Sequence, residues 1–232
     1  MSVKRALTAT LVLACLLLAR EAAATPPEDR LLPIDQHASD KARALATAHG
    51  QALRELNTWI FHCMPWVELQ KHSIGFFKPK HLTVDDRYLA LRIYIEQDPS
   101  ADFARLRIEE RASAMFSRYV GPLLRRMTKD PSVAADPALD GFTIVLEWLK
   151  QVPRAAGDRP VHETVAIFVE KAVGRDYLDG TIPITEMAAK ARTLGFDGET
   201  ALGSLRLAVW DDNFVKTYKV ANYALEPGVS CG

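Results

Sequence analysis

Between Tyr88 and Glu96 the chain alternates, with Leu89, Leu91, Ile93 and Ile95 on one side and Tyr88, Ala90, Arg92, Tyr94 and Glu96 on the other. A helix would scatter those apolar residues around its circumference, so the period of two requires an extended strand with one apolar face. A strand of this kind has no stability alone. It must pair with others in a sheet, and its Leu and Ile face must be covered by a second layer. Phe142 to Leu149 and Val161 to Glu170 are apolar, β-branched runs joined by a segment containing Pro153, Gly157 and Pro160, which predicts a hairpin with a long tip. Shorter strands are expected at Ser73 to Phe77, Leu205 to Trp210 and Phe214 to Tyr223.

The covering layer is also legible. Ser39 offers an N-cap, and Leu45, Ala48, Ala52, Leu56, Trp59 and Ile60 recur at helical steps, predicting one long amphipathic helix that ends near Pro65. Asp98-Pro99 begins a second, whose buried stripe is Ile108, Ala112, Met115, Tyr119, Leu123 and Met127. Gly121-Pro122 lies inside that stripe and should kink or split the helix. Ile184 to Leu194 reads as a short helix closed by Gly195. Helices and strands do not alternate strictly, so the expected class is α+β: a largely antiparallel sheet packed against two long helices and one short one. Residues 25–232 form a single domain on this reading, and the loop near 130–140 is the best place for a subdomain boundary.

Residues 1–24 read as a signal peptide: Lys4 and Arg5 form a basic start, Ala6 to Ala19 an apolar run, and Ala22-Ala23-Ala24 a cleavage site. The run is too short for a spanning helix, so no transmembrane span is expected in the mature chain. Cleavage would leave Thr25 first in an exported, periplasmic or secreted protein. A minor alternative is a lipoprotein anchored at Cys15, since Val12-Leu13-Ala14-Cys15 loosely resembles a lipidation box. The full chain of 232 residues balances 29 basic against 29 acidic groups. Removing Lys4, Arg5, Arg20 and Glu21 leaves 26 and 28, and that balance argues against a nucleic-acid partner.

Export changes how the cysteines read. The mature chain keeps Cys63 and Cys231, 168 positions apart, in a compartment where disulfides persist. They are the disulfide candidate. The alternative is a buried thiol, because Cys63 continues the apolar spacing of the first helix.

Motifs for chemistry are sparse. His62, His72 and His81 stand ten and nine residues apart, which fits no metal-ligand spacing. Asp179 to Glu186 copies the second half of a calcium loop, but Arg175 and Tyr177 stand where its first oxygen ligands belong. Adjacent acids at Asp85-Asp86, Glu109-Glu110 and Asp211-Asp212 point apart on a strand or helix and do not face one another across a substrate. No nucleophile elbow, zinc-protease motif or phosphate loop occurs, and nothing implies a cofactor. Tyr88, Arg92 and Tyr94 share the strand face opposite the Leu and Ile side, where they either lie under a second layer or face a partner. Arg118, Arg125, Arg126 and Lys129 form a basic cluster that could meet an anionic surface, although the neighbouring acids favour a solvated helix face.

The expectation is an exported, non-catalytic binding or interaction protein with a protein or small-molecule ligand. The alternative is a hydrolase built from dispersed His and Asp residues, which requires a histidine and a carboxylate within hydrogen-bond reach. A structural subunit would instead expose an unpaired strand edge.

Overall fold

Tyr88–Ile95 is strand β3, and its odd residues are 0–1% exposed while Arg92 opposite them is open to solvent. The computed structural model describes residues 25–95, 105–151, 160–209 and 231. Its strands are β1 (Val67–Leu69), β2 (Gly75–Phe77), β3, β4 (Gly141–Gln151), β5 (Val161–Glu170), β6 (Arg192–Asp197) and β7 (Thr200–Ser204). They form one mixed sheet in the order β1-β3-β4-β5-β6-β7, and β2 joins the same edge of β3 as β1. Every pairing is antiparallel except β3 with β4, which run parallel in register from Tyr88↔Gly141 to Ile95↔Trp148. The parallel pair follows from what joins it: a long helical crossover can return the chain to the same end of the sheet.

One face of the sheet carries the core. Leu89, Leu91, Ile93, Phe142, Ile144, Leu146, Trp148, Val165, Ile167 and Val169 are all at most 1% exposed and belong to one cluster with the helices. Those helices are α1 (Asp40–Ala48), α2 (Gly50–Cys63), α3 (Ile108–Met115), α4 (Gly121–Met127), α5 (Pro131–Ala135), α6 (Lys171–Leu178) and α7 (Ile184–Lys190). Close packing of α6 on the sheet needs Gly174, because a Cβ there would stand 3.2 Å from the Phe142 ring.

Several expected boundaries move. The single first helix is two, since His49 (φ −107°, ψ 14°) interrupts it between α1 and α2. Ser39 caps α1 as expected, its hydroxyl accepting from the Ala42 N–H at 3.2 Å. The chain stays helical through Gly121-Pro122, but Phe116–Val120 widens into a π turn just before them. That turn accommodates a proline that cannot donate a main-chain hydrogen bond. The loop expected at 130–136 contains α5, with the Asp130 side chain accepting from Ser132 N–H. Helix α7 stops at Lys190, and Leu194 and Gly195 belong to β6 rather than to a helix and its cap. Residues 205–209 are not a strand, whereas β7 occupies 200–204. The expected strand at Phe214 to Tyr223, the hairpin tip at 152–159 and the helix start at Asp98-Pro99 lie outside the described residues.

At the far end of the core face stands a buried carboxylate. Glu163, 1% exposed, faces Trp148 across the β4–β5 ladder. Arg111 of α3 donates to it through Nε at 2.6 Å and Nη2 at 2.5 Å, and the Trp148 indole N–H donates at 3.0 Å. Lys150 Nζ stands 3.8 Å away and also pairs with Asp197 at 2.6 Å. Arg111 additionally donates to the Leu106 carbonyl. Removing one partner of such a pair strands a charge. We therefore expect Glu163→Leu or Arg111→Met to cost about 3–5 kcal/mol in urea denaturation, and the double variant to cost less than the worse single one.

Cys63, at the end of α2, is bonded to Cys231, with Cα atoms 5.6 Å apart. The bridge fastens residue 231 to the helix layer and removes loop entropy from the unfolded state over a separation of 168 residues. Reduction, or the Cys63→Ser/Cys231→Ser variant, is expected to lower unfolding stability by about 2–4 kcal/mol, read from denaturation midpoints with and without reductant.

Candidate functional site

The sheet has a second face, and no helix layer covers it among the described residues. Alternation along each strand assigns its members: Arg92 and Tyr94 on β3, Val145 and Glu147 on β4, His162, Thr164, Ala166 and Phe168 on β5, and Arg192, Leu194 and Phe196 on β6. Val145, Ala166, Phe168, Leu194 and Phe196 are half-buried, shielded in part by one another. They make a continuous apolar strip across three strands.

A polar cluster borders the strip. Glu147, whose side chain is 12% exposed, is held from both sides. Arg92 donates to its Oε2 through Nε at 3.0 Å and through Nη2, and His162 Nδ1 lies 3.1 Å from its Oε1. The His162 ring also packs against Tyr94 with centroids 5.1 Å apart. A carboxylate on Nδ1 orients the imidazole and directs Nε2 away from the pair. At the opposite end the β2–β3 loop lies against the face: His81 meets the Phe168 ring edge-on at 4.7 Å. Burial, reinforced by Arg192, lowers the His81 pKa below its ordinary value.

The residues expected to meet a partner divide. Arg92 is exposed and Tyr94 half-buried, but Tyr88 is only 6% exposed and is not available to a ligand. Its ring lies over Gly141, where a Cβ would stand 2.5 Å from the ring and 2.6 Å from the Val169 carbonyl oxygen. The cause is the β3–β4 register, which pairs the tyrosine with a residue that has no side chain.

The three histidines singled out by spacing do not converge. His62 meets its neighbour Phe61 edge-to-face, exposed His72 sits at a φ of 54° with its N–H on the Asp29 carbonyl, and His81 is on the sheet face. Among the described residues no group of three His, Cys, Asp or Glu side chains is placed to hold a metal ion. The histidines whose ring nitrogens meet polar partners are the other three. His162 pairs with Glu147, His49 pairs with Asp136 at 2.9 Å, and His37 is buried against β2. Spacing carries no signal for the contacts of His162 with Glu147, His49 with Asp136 or His37 with Phe76, which join residues 15 or more positions apart.

The remaining candidates are structural or lie elsewhere. Asp85 pairs with Arg87, the Glu110 carboxylate accepts the Arg107 N–H at 2.9 Å, and Asp211 and Asp212 are outside the described residues. In the calcium-like loop Glu186 pairs with Lys190 at 2.8 Å and Gly180 takes a φ of 75° in a turn. The basic cluster belongs to the helix layer, where Arg125 lies over Tyr177 and Arg126 over Trp59. Compared with known proteins, the chain matches no family model, no curated protein and no solved structure.

Burial, aided by Glu170, Asp86 and Asp140, raises the Tyr88 phenol to about 12. An acid whose folded pKa lies above its unfolded value of 10.0 destabilises the fold as pH rises from that unfolded value toward the folded one. The ultraviolet titration difference between wild type and Tyr88→Phe should therefore show a phenol ionising near 12 rather than near 10.

Proposed function

We propose that this is an exported, non-catalytic binding protein that holds its ligand or partner on the outer face of the sheet. The observation that carries the reading is the half-buried strip of Val145, Ala166, Phe168, Leu194 and Phe196 beside the Arg92–Glu147–His162–Tyr94 cluster. Apolar surface bordered by oriented hydrogen-bonding groups suits a ligand that is apolar along its body and polar at one end. The basic start and apolar run of residues 1–24 support export, and the Cys63–Cys231 bridge is in keeping with an oxidising compartment.

A hydrolase is the second reading, favoured by one observation: His162 and Glu147 are a histidine and a carboxylate 3.1 Å apart on an accessible face. No serine, threonine or cysteine side chain is hydrogen-bonded to that imidazole among the described contacts, so the binding reading stands first.

The test is to recover the chain from the exported fraction and compare it with Leu194→Glu/Phe196→Glu by native mass spectrometry. The expected result is an N-terminus at Thr25 and a bound molecule or partner that the double variant loses. Arg118→Glu, an exposed change on the helix layer, should keep it. Equal occupancy in all three proteins would overturn the reading. Ester or amide turnover that disappears in His162→Ala would favour the hydrolase instead.

A further inference from the structure

Residues 27–37 run as a strap along the β2 edge. Pro27 accepts from the Asn57 side chain at 2.9 Å, Asp29 from the His72 N–H at 2.8 Å, and Arg30 from the Ile74 N–H at 3.0 Å. Leu32 N–H returns to the Ile74 carbonyl at 2.8 Å. The strap ends at His37, which is 2% exposed. Its Nδ1 lies 3.1 Å from the Pro33 carbonyl oxygen and its Nε2 3.4 Å from the Phe76 N–H nitrogen. Only one protonation state fits both neighbours. Nδ1 faces an acceptor and must donate, whereas Nε2 faces a donor and must accept, so the ring is neutral.

A second proton would reverse the Nε2 contact and set one N–H against another. There is no room to turn aside: a Cβ on Gly75 would stand 3.1 Å from both His37 Nε2 and Leu32 Cβ, so strap and strand are already in close contact. The charged groups facing the ring are cations. Arg87 lies nearby from the start of β3, with its Nε buried and without a hydrogen bond, and Arg43 of α1 donates to the His37 carbonyl at 2.8 Å. Their acids, Asp85 and Asp40, are bound to the arginines themselves. Phe77 supplies the other neighbour, its ring 6.5 Å away.

We propose that His37 is an acid-released latch: protonation at Nε2 breaks its contact with Phe76 and frees the strap 27–37 from the β2 edge while the rest of the sheet stays folded. The direction follows from linkage. Burial, with Arg87 and Arg43, holds the closed-state pKa below the ordinary 6.5, against the opposing pull of the Pro33 and Ile34 carbonyls. A released strap returns His37 to its ordinary value. The closed form is thus fully favoured above pH 6.5 and weakens as pH falls toward the closed-state pKa. Between about pH 7.5 and 5.5 the opening constant rises by up to about tenfold. Release exposes the main-chain N–H of Phe76 and leaves an edge strand that another chain can pair with.

Hydrogen exchange of the full chain, corrected for intrinsic rates, tests this at the two pH values. The expected result is faster exchange in 27–37 and 74–77 at the lower pH, unchanged exchange in 161–170, and a response under about twofold in His37→Gln, which can accept from Phe76 but does not titrate. The same acid response in His37→Gln, no response in wild type, or exchange in 161–170 that rises in step would each overturn it. If His37→Gln does not fold, the ring nitrogen shifts of wild-type His37 decide. A neutral Nδ1–H ring whose protonation tracks strap exchange supports the latch, and strap exchange that follows another group's titration overturns it.

Discussion

The buried Glu163 carboxylate sets the geometry of everything around it. Moving an ionised carboxylate from water into a core costs several kcal/mol unless its lone pairs are filled, and here Arg111 and the Trp148 indole fill them with Lys150 close by. Each donor comes from a different place: a helix of the crossover, the neighbouring strand, and that strand's end. Satisfying one group therefore fixes the position of α3 over the sheet, the register of β4 against β5 and the reach of Lys150 toward β6. An apolar residue at 163 would accept many neighbouring positions, whereas a charged one accepts very few. The same end of the sheet is stitched on its other face by Glu147, which Arg92 and His162 hold from β3 and β5. Two carboxylates on adjacent strands, pointing to opposite faces, thus lock three strands together.

How much of this could be read in advance depended on whether the determinant was local. The alternation of β3 is a property of eight consecutive residues, and it identified both the strand and its buried face. The largely antiparallel sheet and the β4–β5 hairpin followed from the same kind of signal. The parallel β3–β4 pairing did not, because it depends on where the helical crossover returns the chain. Nor did the break at His49, whose neighbours continue a helical stripe. Its imidazole bonds Asp136, 87 residues away, and that tertiary contact outweighs the continuity of the pattern.

Residues 205–209 show why a period of two is not by itself a strand. Leu205 packs where Gly195 leaves space, Val209 is buried, and the Ala208 N–H donates to Ser113 Oγ on α3 at 2.9 Å. An extended segment lying on a helix layer buries every second side chain just as a sheet strand does, so burial alone imposes the pattern. β7, which does pair with β6, is exposed at every residue and has no alternation to read. The candidate site was legible to the same extent. Arg92 and Tyr94 were placed on the correct strand face by alternation, but Tyr88, on that same face, is closed off by its pairing with a glycine.

The two ends of the outer face consequently have different characters. At the Tyr88 end the phenol covers Gly141, the β2–β3 loop brings His81 against Phe168, and the strap with His37 secures the edge of β2. At the Tyr94 end Arg92, Glu147 and His162 are tied to one another across three strands. β2 joins the strap to the Tyr88 end, because it pairs with β3 through Phe77↔Tyr88 while its other edge meets the strap. Any change that loosens the strap acts first on the closed end, through β2 and the loop that follows it, and reaches the Arg92–Glu147–His162 cluster only along β3. The cluster is thus separated from the strap by the length of a strand whose core side is fully buried, and rearrangement at one end need not disturb the polar contacts at the other.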